Sequence, residues 1–347
     1  MKGRHTVTPT RQSFKEQTSE FFLKYGIILI VGVLILIFSL TTDAFLSINN
    51  FLDILRAVSI LAIVALGVTF SVTVDGFDVS VGAVTGLAVI LAPALMVIWQ
   101  IPWYLAVVMC WIAGSVIGLI NAFLIVKLHI PDLLATLGSL YLVSGLQMAI
   151  TKGDAVYRGM YDPWHPGQIA QGAISTVFLK FGQGYIFSTP NFRGIPIPVL
   201  IMVAIAAVAF FFLEFTRYGR NMYAVGGNPE AARLAGINVN LYRTVAYMIS
   251  AFLATTGGLV LAARIGSGAV KAGDPYLLDS VAATFFGFAV FGARRPNVLG
   301  TVLGAFFVGL MLNGLTMLNM PWYIQDIIKG IVLIFSLSLS YYMTRRA

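Results

Sequence analysis

The sequence predicts an all-α membrane protein of about ten transmembrane helices, and three observations carry that expectation. Hydrophobic residues make up 59% of the 347 residues, charged residues only 10%, and the mean hydropathy is +0.89. Charged residues normally furnish much of a soluble surface, so a chain this apolar lacks the cover that a water-exposed fold needs. The apolar residues are also gathered into blocks close to the ~20 residues that a helix requires to cross a bilayer. Finally, most Lys and Arg residues fall in alternate connections between the blocks, as they do where basic residues mark the cytoplasmic side.

The opening segment, 1–24, is polar and basic, with Phe14, Phe21 and Phe22 spaced for one helical face. It suits an interfacial helix and a disordered tail about equally. Residues 25–347 then read as a single multi-span domain. Candidate spans cover 25–40, 54–74, 79–99, 103–126, 133–150, 195–213, 244–263, 277–293, 298–318 and 322–342. The eighth is short and carries glycine. With the N-terminus inside, ten crossings leave Lys127, Arg217, Arg220, Arg233, Arg243, Arg294, Arg295, Arg345 and Arg346 on the cytoplasmic side. An odd number would put Arg345 and Arg346 outside, so both termini are expected in the cytoplasm.

Two connections stand out. An external loop, 151–194, carries Tyr157, Tyr161, Trp164, His165 and Tyr185. That composition fits a docking surface or a ligand lid, and also an ordinary interfacial loop. A cytoplasmic loop, 214–243, contains a short helix written in local signals. Asn228 can cap it through its side-chain oxygen. Pro229 suits the first helical position, where a missing N–H costs nothing. Glu230 complements the positive end of the helix dipole, Ala231, Ala232 and Arg233 continue the helix, and Gly236 can end it in the left-handed conformation. So short a helix does not hold alone in water and needs a surface to rest on, whether a partner or the lipid headgroups.

The chemistry is as notable for what is missing. No Gly-Lys dipeptide occurs, so the chain has no phosphate-binding P-loop, and neither HExxH nor a nucleophile elbow is present. If ATP drives this protein, another polypeptide hydrolyses it. The formal net charge of +8 does not point to nucleic acid, because the basic residues form no dense patch. One cysteine, Cys110, excludes an intrachain disulfide, and the scattered His5, His129 and His165 suggest no metal site.

Polar residues in or beside apolar spans mark solute paths in some proteins and helix packing in others. Asp78, Ser80, Asn121, Asp279, Ser280 and Asn313 are the candidates for a translocation path. Asp78 or Ser80 is placed to cap the third span, and Asp279-Ser280 opens the eighth in a similar way, so the chain can be read as two five-span halves. The small residues Gly82, Ala83, Gly86, Ala282, Ala283 and Gly287 either allow close packing or leave room for a solute. Asp326 and Lys329, at i and i+3, are expected to pair as a structural clasp.

Several stretches, in order, resemble the permease subunits of ribose/xylose/arabinose-type ABC sugar importers. They are Asn50–Arg56, Ala65–Phe70, Gly76–Gly82, Ala135–Gly138 and, most specifically, Tyr218–Arg220 followed by Gly226–Val239. Glu230-Ala231-Ala232 and Gly236 also fit the E-A-A-x-x-x-G loop of importers more widely. The resemblance implies a multi-pass protein of the bacterial inner membrane whose 228–236 helix docks on a separate ABC-type ATPase. It implies further partners: an external solute-binding protein, a second permease subunit and membrane lipid. ATP and Mg would be used by the partner ATPase, this chain binding no cofactor and breaking no bond in the sugar. The sequence departs from the family at Asp75, where many relatives have glycine, at Asp132, which replaces an apolar residue, and at 286–296, which lacks paired glycines. An ion-gradient-driven secondary transporter is the alternative reading, set against it by how few ionisable residues lie within spans. A membrane-embedded enzyme lacks its motifs, and an exporter is not excluded by apolar content.

Overall fold

A computed structural model describes residues 31–190, 192–289 and 295–345. The helices follow in chain order: α1 (Val31–Thr41), α2 (Ile48–Thr73), α3 (Val81–Val97), α4 (Trp103–Val126), α5 (Asp132–Thr151), α6 (Thr176–Gln183), α7 (Ile197–Phe215), α8 (Arg217–Gly227), α9 (Pro229–Leu234), α10 (Val239–Ile265), α11 (Asp274–Ala289), α12 (Val298–Met317) and α13 (Trp322–Arg345). The chain is not purely helical. Strand β1 (Tyr185–Ile186) pairs antiparallel with β2 (Ile195–Pro196) just before α7. Two short helices, α6 and α8, were not expected from the apolar pattern. Both sit in connections, where polar residues break the long hydrophobic runs.

Six helices, α2, α4, α5, α7, α10 and α12, are long and apolar enough to cross a membrane among the described residues. That is fewer than the expected ten. The first expected span lies partly outside the described residues, as do 290–293 of the eighth. A physical reason is visible at α3, which has 17 residues. α3 begins within the bundle, after the largely buried stretch 76–80, rather than at its surface.

The bundle is arranged around α2, α3, α10, α11 and α12. α2 runs antiparallel to α10, since Gly67 packs on Ser250 and Gly257 on Val64. The stretch 74–80 that leads into α3 therefore lies at one end, and the stretch 266–273 that leads into α11 lies at the other. The starts of the two helices nevertheless meet. A Cβ on Gly273 would overlap the backbone of Gly82 and Gly86, so only glycine allows this approach. Nearly all of α2 beyond Ile54 and all of α3 except Leu91 are buried. The outer helices α4, α7 and α13 instead turn Ile112, Val208 and Ile334 outward. An apolar exterior over a polar-seamed interior is the pattern of a protein solvated by lipid.

Candidate functional site

The α8–α9 connection folds much as its local signals dictate. The Asn228 side chain accepts hydrogen bonds from the N–H groups of Glu230 (3.1 Å) and Ala231 (3.0 Å). Pro229 occupies the first turn, Glu230 supplies the acidic group there, Arg233 lies in the last turn, and Gly236 adopts φ +80°. One side chain anchors the helix: Ala232, 4% exposed, packs with Leu213, Met222, Val225 and Val239. Asn228, Pro229, Glu230, Ala231, Arg233 and Gly236 all face outward, and Leu234 is 91% exposed. The preceding helix, α8, is capped by the Thr216 hydroxyl and abuts the end of α2 at Gly226. A cavity of about 730 Å³ opens beside it, lined in part by Thr73, Asp75, Gly76, Tyr223 and Arg295.

The candidate path residues divide into separate groups. Asp78, Ser80 and Asn121 come together in the interior. The Asp78 carboxylate accepts from the Ser80 N–H (2.9 Å), the Ser80 hydroxyl (2.6 Å) and the Ser250 hydroxyl (2.8 Å). Asn121 donates to Ser80 Oγ (2.9 Å) and accepts from Ser139. Ser80 is the residue preceding α3, but its side chain makes no capping bond; Asp78 takes its N–H instead. Every member is buried, so the network ties α3, α4, α5 and α10 to the extended stretch before α3. Gln147 does the same for the 266–273 turn segment before α11. Its amide donates to the Ala83 carbonyl (2.9 Å) and accepts from the Lys271 N–H (3.1 Å), filling the space left by Gly86.

Asp279, Ser280 and Asn313 are not part of this network. Asp279 does not open its helix, because α11 already starts at Asp274. It pairs with Lys329 of α13 at 3.6 Å. Lys329 also lies 3.7 Å from Asp326, but Asp279 is the deeper partner, its side chain 10% exposed against 62% for Asp326. Lys329 thus lies within reach of Asp326, at the expected i, i+3 spacing, and of a third residue, Asp279, on another helix. Ser280 bonds back to the Leu277 carbonyl, and Asn313 donates to Asn50. The small residues serve close packing: Gly82 meets Leu277, Gly86 meets Gln147, and Gly287 meets Gly300. Among the described residues no three His, Cys, Asp or Glu groups gather as a metal site.

One cluster was not foreseen as a unit. Asp132, at the start of α5, accepts from Arg243 (2.6 Å) and from the Tyr247 hydroxyl (2.5 Å), both on α10. The Tyr247 oxygen in turn accepts the Phe77 N–H at 3.2 Å. Asp75 lies close by; burial holds its carboxyl above the ordinary value of 3.8, and Arg243 draws it back. Asp75 and Asp132 had stood out only as departures from the family pattern. Their partners lie more than a hundred residues away, and no spacing in the sequence indicates them.

The connection between α5 and α7 is folded rather than open. Arg56 of α2 donates to the Gly182 carbonyl at the end of α6 (2.6 Å), and Val156 pairs with Gly268. Trp164 donates to the Ile150 carbonyl, with Lys152 5.1 Å from its ring. Tyr157, Tyr161 and Phe187 remain exposed.

Comparison with known proteins agrees with this architecture. The family described as "Branched-chain amino acid transport system / permease component" matches residues 50–337. The chain is 33% identical over 318 residues to the ribose import permease protein RbsC of Haemophilus influenzae, covering 92% of this chain and 93% of that protein. It is 32% identical over 335 residues to the galactose/methyl galactoside import permease protein MglC of Escherichia coli, covering 92% and 95%. It is 29% identical over 351 residues to the xylose transport system permease protein XylH of Haemophilus influenzae, covering 89% and 94%.

Proposed function

The chain belongs to this family of transport permeases, and we propose that it forms the transmembrane path of an ATP-driven importer for a monosaccharide or related polyol. It is a multi-pass protein of the inner membrane, and its family works with an ATPase and a solute-binding protein. In this reading the α8–α9 end faces the cytoplasm, both termini lie there, and ten crossings complete the path. The loop between α5 and α7 faces outward, where its tyrosines and Trp164 meet the binding protein. A second permease subunit, most simply another copy, completes the pore. Lipid covers the apolar faces of α4 and α7. The chain binds no cofactor, and ATP and Mg act on the partner ATPase.

The observation that carries the reading is α9. A six-residue helix held by one buried alanine, with Leu234 exposed, is not stable on its own terms. It acquires a purpose if a groove in the ATPase receives it. ATPase closure then pushes on α9 and favours one of two permease arrangements. Asn228 and Pro229 fix its start, Glu230 and Arg233 offer polar contacts, and Ala231, Ala232 and Gly236 permit close approach. Between the two ends, the Asp78–Ser80–Asn121 network borders the path, and the cavity beside α8 is its inner mouth. Replacing Glu230 with Lys tests this directly. ATP hydrolysis should continue while uptake falls by about tenfold or more, a coupling change within the usual range. Full uptake by that variant removes α9 from the mechanism.

A further inference from the structure

α9 runs into α10 within a few residues, so whatever displaces α9 first meets the opening turns of α10. Those turns carry Arg243 and Tyr247, and both end on one oxygen of Asp132. Asp132 starts α5. The Tyr247 oxygen also takes the Phe77 N–H, and a Cβ on Gly76 would lie 2.7 Å from it. One turn along α5, the Thr136 hydroxyl accepts the Val79 N–H at 3.3 Å. Phe77 and Val79 flank Asp78, the centre of the buried network. A continuous line of short polar contacts therefore joins the start of α10 to the stretch that enters α3.

We propose that Asp132 is the positioning residue through which movement of α9 reaches the 75–80 stretch at the inner mouth of the path. The inference rests on α9 being the ATPase-coupling helix. Three parts that are distant in sequence meet here: the start of α5 through Asp132 itself, the start of α10 through Arg243 and Tyr247, and the α2–α3 stretch through Phe77, which reaches the carboxylate by way of the Tyr247 hydroxyl. Their ends move together while the carboxylate holds them.

The arrangement is suited to opening and reclosing. Asp132 and Arg243 side chains are 18% and 26% exposed, so water can replace each partner when they separate. Arg243 is not saturated, since its Nε is buried without a hydrogen-bond partner. Asp75 stands within its field as a second carboxylate. A fully dry and fully satisfied bridge would act as a fixture instead. Physical contact alone does not demonstrate coupling, which needs a readout that separates it from stability.

The test uses the complete transporter in proteoliposomes: this chain, its ATPase and its binding protein loaded with whichever of ribose, xylose or galactose that protein binds. Sugar delivered per ATP hydrolysed is measured for Asp132→Asn and Tyr247→Phe. Asp132→Asn should lower that ratio about tenfold, with the complex still assembled and the ATPase still turning over. Tyr247→Phe, which keeps the ring and loses only the hydroxyl, should lower it about threefold. Asp132→Glu should recover most of the loss. An unchanged ratio overturns the proposal, and so does a loss of uptake explained by loss of assembled complex. Glu230→Lys is run in parallel. If it uncouples while Asp132→Asn does not, this inference alone fails; if it leaves coupling intact, the role of α9 fails.

Discussion

The α8–α9 connection and the α3–α11 crossing are both indispensable in this account, yet they are built in opposite ways. α9 is exposed, carries its own cap, first-turn proline and terminating glycine, and touches the bundle through one alanine. The crossing depends on residues from three other helices, α4, α5 and α10. Gly86 is filled by Gln147, Asp78 is held by Ser250, and Gly273 leaves no room for a side chain. The part that the proposed mechanism has another protein grip is encoded locally and left uncovered. A part that must hold its shape while others move is encoded by distant residues meeting in the interior.

The contrast predicts unequal responses to similar changes. The largest is at Gly273→Ala, where the new methyl meets the backbone of Gly82 and Gly86. Overpacking of this kind typically costs about 1–3 kcal/mol and occasionally more. Thermal unfolding in detergent should show a marked loss, whereas Gly227→Ala, with open space around it in α8, should show none. Equal behaviour of the two would erase the distinction between the regions. Next comes Asp78→Ala, which strands the Ser80 N–H and the Ser250 hydroxyl at a cost of about 1–3 kcal/mol. Asp78→Asn keeps an acceptor and should lose less.

Smaller effects belong to the exposed region. Asn228→Ala removes the cap from α9 and costs the local helix about 1 kcal/mol. Hydrogen exchange should accelerate at Glu230 and Ala231 while the core amides stay protected; loosening of the core as well would mean that α9 is part of it. Leu234→Gln should leave stability within about 0.5 kcal/mol yet reduce recovery of the ATPase with the purified chain. Undiminished recovery would leave the exposed leucine without a partner.

The smallest effect is electrostatic and lies in the loop between α5 and α7. The Asp162 carboxyl is held below its ordinary value of 3.8, first by the His165 side chain and then by the Trp164 N–H. A lowered carboxyl adds stability above its unfolded value and loses it as pH falls through the folded one. Trp164 fluorescence should therefore not report carboxyl protonation between pH 7 and pH 5, and a change should enter only below the ordinary value of 3.8. A transition of this carboxyl at pH 5 would place its field elsewhere.

How far the sequence could be read follows the same division. α9 was legible to the residue because capping, proline placement and a left-handed glycine act within a few positions. The long apolar helices α4, α10 and α12 were legible from composition, though α10 begins at Val239 rather than where the apolar run starts, because Asn238 caps it. The Asp326–Lys329 pair was visible as an i, i+3 spacing, whereas its third member, Asp279, belongs to another helix. α3 was expected as a full span because nothing local reveals that the stretch before it enters the bundle. The Asp132–Arg243–Tyr247 cluster was not legible for a similar reason. Its members are ordinary residues at helix starts until the fold brings them together.

The central claim is that this polypeptide carries a path and a coupling surface but no motor. Accumulation of labelled sugar in proteoliposomes, with the chain alone and with its ATPase and binding protein, tests that most directly. Uptake should require the full assembly and ATP, and should vanish when hydrolysis is blocked. Accumulation by the chain alone, driven by an ion gradient, would contradict it.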